Sequence, residues 1–243
     1  MRYLVGIQYK GSAYCGWQRQ KNGLSVQAVV IEAWRALTGE TIVLHGSGRT
    51  DAGVHALCQC AHFDTQSALP VDKIPLAMNT KLPVDVRILW AREVAEDFHA
   101  RFSVKAKTYR YRLYWGAHAD AFAYDLAHHV VKRPNVELMK KAAEVLVGEH
   151  DFKAMQATGG HVKSTVRTVY SIDIQEEGNQ ISITVRGNGF LYNMVRILAG
   201  TLLYAGWEWL TAEDIAKAIE EKDRTALGKT LPAEGLYLVS VEY

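Results

Sequence analysis

Cysteine is scarce in this 243-residue chain and badly spaced for metal or disulfide chemistry. There are three, Cys15, Cys58 and Cys60. An odd count with a CxC and no CxxC excludes a disulfide framework and a zinc knuckle. It predicts free thiols in a reducing cytoplasm. Proline is scarce too, at five, against 19 glycines, which excludes collagen-like and disordered chains. No long apolar run is present. The longest stretch, Ile197 to Trp207, falls well short of the about 20 residues that span a bilayer, so no membrane contact is expected. No charged leader precedes the strand-like Arg2-Tyr3-Leu4-Val5-Gly6-Ile7, and no signal peptide is expected. Charge of one sign is also missing. The formal net charge is +2, so attraction to nucleic acid has to come from local clustering. The histidines show no ligand spacing, and neither HExxH nor GxSxG occurs. No metal site is expected.

What remains is an ordinary globular composition, 49% hydrophobic and 22% charged, with room for one large domain or two small ones. Residues 2–9 alternate as a strand. Ser25 is placed to cap a helix in which Val26, Val29, Val30, Ala33, Trp34 and Leu37 recur at the spacing of one buried face, and Gly39 ends it. Strands are expected at 41–44, 57–63 and 86–94, with a short helix at 72–80. The second half repeats the order: a strand at 108–115, a helix at 136–147, and a hairpin of 166–175 with 180–186. Helices at 191–204 and 212–221 and a closing strand at 236–243 follow. Two βαββαβ halves, 1–103 and 104–243, predict an α+β protein. Its ferredoxin-like units would share a continuous antiparallel sheet with a cleft between them.

Three segments invite chemistry. The turn Gly46-Ser47-Gly48-Arg49-Thr50-Asp51-Ala52-Gly53 is rich in glycine, yet Asp51 stands where a Rossmann fingerprint needs glycine. Val54-His55 stand where a Walker loop needs Lys-Ser/Thr. That leaves a carboxylate in a tight turn, either an Asx-turn closing on its own backbone or a positioned nucleophile or base. Residues 98–119 carry Arg101, Lys105, Lys107, Arg110 and Arg112 interleaved with aromatics, and no acid. Cations for phosphates with rings for bases make a nucleic-acid surface. The other reading is an amphipathic strand with buried tyrosines. On a strand, Arg110 and Arg112 share one face, and Tyr109 and Tyr111 the other. Lastly, Arg196 sits in the apolar helix that follows Gly187-Asn188-Gly189-Phe190. A buried arginine needs a partner, in a structural ion pair or at an active-site carboxylate.

The sequence resembles the TruA family of tRNA pseudouridine synthases from end to end. The resemblance rests on Tyr14-Cys15-Gly16-Trp17-Gln18-Arg19-Gln20, Gly48-Arg49-Thr50-Asp51-Ala52-Gly53-Val54-His55 and Phe98-His99-Ala100-Arg101-Phe102-Ser103. Lys107-Thr108-Tyr109-Arg110-Tyr111, Phe190 with Met194-Val195-Arg196 and Gly200, and Glu234-Gly235-Leu236-Tyr237-Leu238 complete it. Cys15 and Met155 depart from the bulkier and aromatic residues expected there. The resemblance implies the pseudouridine synthase fold and the isomerisation of uridine to pseudouridine at positions 38, 39 and 40 of the tRNA anticodon stem-loop. No cofactor is implied, and a homodimer is.

Residue roles follow from the same resemblance. Asp51 is the implied nucleophile at C1′, directly or by a glycal route. Tyr109 stacks on the uracil and Arg196 positions Asp51. Arg19, Lys21, Arg49, His55, His99, Arg101, Lys105, Lys107, Arg110 and Arg112 are the implied RNA contacts. An ordinary aspartate has a pKa of about 3.9, so a neighbouring arginine is not needed to ionise it. Two rivals stand beside this reading. A non-catalytic RNA-binding protein would need the basic strand but not the Asp51 turn. A carboxylate hydrolase would need a second, facing carboxylate, and no obvious one accompanies Asp51.

Overall fold

The computed structural model of the chain describes residues 1–20, 23–160 and 162–243. Lys21 therefore lies outside the described residues. In chain order the first elements are β1 (Arg2–Tyr9), α1 (Val26–Thr38), β2 (His45–Gly46), β3 (His55–Asp64), α2 (Ile74–Asn79) and β4 (Val86–Val94). Then come β5 (Ala106–Trp115), β6 (His128–Val130), α3 (Val136–Glu144), β7 (Gly148–Asp151), β8 (Val166–Glu177) and β9 (Gln180–Gly187). The chain ends with α4 (Met194–Gly206), α5 (Ala212–Glu220) and β10 (Leu236–Glu242). No helix among the described residues is long and apolar enough to cross a membrane. Residues 1–105 with 237–243 form one compact unit and residues 106–236 another. The boundary expected after residue 103 falls after 105. The closing strand, expected in the second half, belongs almost wholly to the first unit.

In the first unit β1 lies between β3 and β4, antiparallel to both. Because β1 covers one edge of β3, the other edge takes β2 at Ala61 and His62 and β10 at His55 and Ala56. The β10 pairing is parallel, Tyr237 opposite His55, which corrects the expectation of a purely antiparallel sheet. A parallel neighbour needs a long connection rather than a hairpin, and the whole second unit supplies it. The strand expected at 41–44 is also displaced. Ile42 and Leu44 are buried while Thr41 and Val43 are exposed, the alternation of a strand, but the ladder forms only at His45–Gly46. Helix α1 matches its signals. Ser25 Oγ accepts the Ala28 N–H at 3.2 Å, and Gly39 ends the helix at φ 77°. Trp34, fully buried, packs on Phe63 with ring centroids 4.9 Å apart.

The second unit is a sheet in the order β5-β9-β8-β7, antiparallel throughout. The short β6 adds a second parallel pairing, on β5. Ile181, Ile183 and Val185 of β9 stand opposite Leu113, Tyr111 and Tyr109 of β5. All except Tyr109 are fully buried. Helix α4, almost wholly buried, packs on β5 and α3. It starts at Met194 rather than Leu191 because Asn193 has a left-handed backbone, φ 60°.

The first unit also gathers three imidazoles. His62 on β3 stacks on His45 at 4.9 Å and meets His99 edge-on at 4.7 Å. Its Nδ1 accepts the Ala100 N–H at 3.1 Å. Burial, helped by His45, His99 and Arg2 and opposed by Asp64, pushes the His62 pKa down to about 4. His99 is lowered too, first by burial and then by His45, Arg2 and Arg101. The native state thus holds His62 neutral where the unfolded chain, at about 6.5, takes a proton. Stability from this site is present above pH 6.5 and is lost as pH falls from there towards 4. His62→Asn keeps an acceptor without the titration. The urea midpoint of the parent should therefore fall more steeply than that of the variant over this window. Equal slopes would contradict the assignment.

Candidate active site

Asp51 is half-buried at the tip of the glycine-rich turn, and Arg49 beside it is exposed. The turn closes by the Val54 N–H donating to the Asp51 carbonyl at 3.2 Å. Three sets of contacts hold it. From the first loop, the Trp17 N–H donates to the Thr50 carbonyl at 3.0 Å. Gly16, at φ +105°, lies so close that a Cβ there would stand 2.5 Å from that same carbonyl oxygen. A Cβ on Gly11 would stand 2.0 Å from the Val54 oxygen. Only glycine allows backbone to approach backbone in this way. From β1, the Tyr9 hydroxyl and the buried Thr50 Oγ1 share a hydrogen bond of 2.7 Å. From β3, the buried Gln59 donates its Nε2 to the Gly48 carbonyl at 3.0 Å, and its Oε1 accepts from Ser47 Oγ.

His55 belongs to this support. It is 1% exposed, its Nδ1 accepts the Gly11 N–H at 3.0 Å, and its ring stacks on Tyr237 at 4.6 Å. A ring shut away from solvent and bonded to the first loop is an anchor of the Asp51 turn. His99 is half-buried in the imidazole cluster, its Nδ1 accepting the Arg101 N–H at 3.1 Å. Arg19, Arg101 and Lys105 are exposed, with the Arg101 guanidinium 5.8 Å from the Phe102 ring centre. The basic tract is not one strand. Arg101 and Lys105 precede β5 and lie in the first unit, while Lys107, Arg110 and Arg112 lie on β5 in the second.

In the second unit Tyr109 is half-buried, its ring edge-on to Phe190 at 5.2 Å. Tyr111 differs sharply. It is fully buried, its hydroxyl donates to the Pro232 carbonyl at 2.8 Å, and burial holds its pKa well above the ordinary value. Of the two tyrosines, only Tyr109 retains exposed surface for a ligand. Arg110 donates to Thr184 Oγ1 at 3.3 Å and Arg112 to Gln180 Oε1 at 3.1 Å. Both line a groove of about 1250 Å³ with Arg133 and Lys140. Arg133 is paired with Glu176 at 3.0 Å and Lys140 with Glu137 at 2.8 Å. Half-buried Arg196, in the first turn of α4, donates Nε to the Leu231 carbonyl at 2.7 Å and Nη1 to Asn193 Oδ1 at 2.8 Å.

Tyr9, Gln59 and Asn193 carry no signal in the sequence. Each acts through side-chain bonds that no periodicity reveals, and Tyr9 and Gln59 reach residues distant in the chain. Gly16-Trp17 was visible as part of the family's first segment.

The family model described as tRNA pseudouridine synthase matches residues 6–103 and 142–243. A tRNA pseudouridine synthase A of Ruminiclostridium cellulolyticum is 51% identical over 238 residues, 98% of this chain and 97% of that protein. Its counterpart in Caldicellulosiruptor bescii is 46% identical over 240 residues, 99% of this chain and 98% of that one. A solved Cbf5–Nop10–Gar1 complex aligns over 97% of this chain and 48% of its own at 12% identity and TM-score 0.42, too loosely to inform the fold. The chain belongs to the tRNA pseudouridine synthase family and is an enzyme of that class.

The support of the turn is testable without substrate. Gly16→Ala adds a Cβ against the Thr50 carbonyl in a backbone conformation that L-residues avoid. It should lower unfolding free energy by on the order of 1–3 kcal/mol. An unchanged denaturation midpoint would show that the first loop does not hold the turn.

Proposed function

We propose that this enzyme isomerises uridines 38, 39 and 40 of the tRNA anticodon stem-loop, with Asp51 as nucleophile. The observation that carries the reading is a single carboxylate at the tip of a turn held by the first loop, β1 and β3. Holding a nucleophile in one geometry removes part of the entropic barrier to attack. In the proposed reaction the Asp51 carboxylate bonds to C1′ as the N1–C1′ bond breaks and the uracil leaves with the electron pair. The uracil turns, C5 bonds to C1′ and the Asp51 ester breaks. The C5 proton is lost and N1 gains one, so no atom is gained or lost overall. A glycal route differs only in losing the C2′ proton in place of ester formation and regaining it later.

Tyr109 is the proposed stacking partner of the uracil. Such a contact is worth about 1–3 kcal/mol per base, close to the few kcal/mol that extracting a paired base costs. Phosphate contacts then have to supply the rest of the binding energy, and Arg19, Arg49, Arg101, Lys105, Lys107, Arg110 and Arg112 are the proposed cations. Arg196 is proposed to orient the Asp51 carboxylate. A homodimer is the proposed assembly. A solution mass near twice 27.2 kDa supports it, and a mass near 27.2 kDa removes it.

The test is to treat unmodified tRNA with the enzyme and map pseudouridine by carbodiimide labelling and reverse transcription. Stops at positions 38–40 are expected. Free uracil or strand breaks would point instead to a hydrolase, and modification elsewhere would overturn the assignment to the anticodon stem-loop. Arg110→Ala should weaken tRNA binding and reduce the slope of log K against log salt by about 1. An unchanged slope would deny Arg110 a phosphate contact.

A further inference from the structure

Asn193 gives up two local preferences at once. Its backbone is left-handed, φ 60° and ψ 8°, a conformation that costs any residue except glycine, though asparagine less than most. It also occupies the N-cap of α4, where asparagine usually accepts a backbone N–H from the first turn. Its side chain makes no such bond. Oδ1 accepts instead from Nη1 of Arg196, one turn along, at 2.8 Å.

The second anchor of that guanidinium comes from a distant segment. Nε donates to the Leu231 carbonyl at 2.7 Å, and the Leu231 N–H donates back to the Arg196 carbonyl at 3.2 Å. The Leu231 segment is itself pressed onto α4. The Gly228 N–H donates to the buried Thr201 Oγ1 at 3.1 Å, and the Lys229 carbonyl oxygen stands 2.0 Å from where a Gly200 Cβ would be. Two acceptors at different nitrogens of a planar group fix both its position and the tilt of its plane.

We propose that Asn193 is a positioning residue for Arg196. It holds the guanidinium, together with the Leu231 carbonyl, at one orientation. The proposal rests on the reading that Arg196 serves the reaction by orienting the nucleophile. It explains why the first turn of α4 forgoes its usual cap. The side-chain oxygen that would cap the helix is instead bonded to the third helical residue, from a left-handed backbone.

Four variants test this, Asn193→Gly, Asn193→Asp, Arg196→Ala and the double variant N193G/R196A. Melting temperature, kcat and KM on tRNA are measured for each. Glycine adopts the left-handed backbone freely, so Asn193→Gly should melt at or above the parent temperature. Its kcat should still fall on the order of 10- to 100-fold with little change in KM. Asn193→Asp, which keeps the acceptor, should retain most of kcat. The double variant should be no slower than Arg196→Ala alone, since one interaction is removed in each. If Arg196→Ala is slow while Asn193→Gly turns over like the parent, Asn193 has no positioning role and the reading of Arg196 stands. If Arg196→Ala keeps the parent kcat, both fall. A loss of melting temperature and kcat together in Asn193→Gly, or additive losses in the double variant, would make Asn193 merely structural and also overturn the proposal.

Discussion

The constraint on which the Asp51 site depends is the approach of one backbone to another. Gly11 and Gly16 bring the first loop so near the 50–54 turn that neither position has space for a methyl group. Glycine in these places costs conformational entropy on folding. In exchange the Trp17 N–H reaches the Thr50 carbonyl and the Gly11 N–H reaches the His55 ring. A carboxylate on an unsupported loop would sample many orientations. Here the residue before Asp51 is bonded through both its carbonyl and its hydroxyl, so little freedom is left to the residue that follows.

Polar groups do the rest of the holding, and they do it in the core. Ser47, Thr50, His55 and Gln59 are all buried. An unpaired polar atom there would cost about 1–3 kcal/mol. Among the described residues, no buried side-chain nitrogen or oxygen lacks a partner. A fully satisfied polar network in a low-dielectric interior is rigid because every rearrangement strands a donor or an acceptor. The same logic extends to Arg196, which donates to the Leu231 carbonyl and to the Asn193 side-chain oxygen.

Helix α1 was legible in the sequence because cap, periodic face and terminal glycine agree over thirteen residues. The hairpin of β8 and β9 was legible for a similar reason, two alternating runs around Glu177-Gly178-Asn179. The short strands β6 and β7 were not, since three or four residues carry too little alternation to register. The parallel partner of β3 was not, because pairing across most of the chain leaves no local trace. Asp51, Tyr109 and Arg196 stood out only through family resemblance. The composition of the Asp51 turn alone left both an Asx-turn and a nucleophile open, with the Asx-turn ahead. The basic tract misled in one respect. Its cations are contiguous in sequence, but the unit boundary after Lys105 runs through it. The burial of His55, which makes it a support of the Asp51 turn, left no trace in the sequence either.

The central claim is that the Asp51 carboxylate forms or assists the bond change at C1′. The most direct measurement is tritium release from tRNA labelled at C5 of uridine, under single turnover with enzyme in excess. Wild type and Asp51→Asn are compared after their tRNA affinities have been matched by titration. C5 gives up its hydrogen only when it bonds to C1′, so release by the wild type and none by the tRNA-bound variant is the predicted result. Release by Asp51→Asn at the wild-type rate would contradict the account and move the chemistry to another residue.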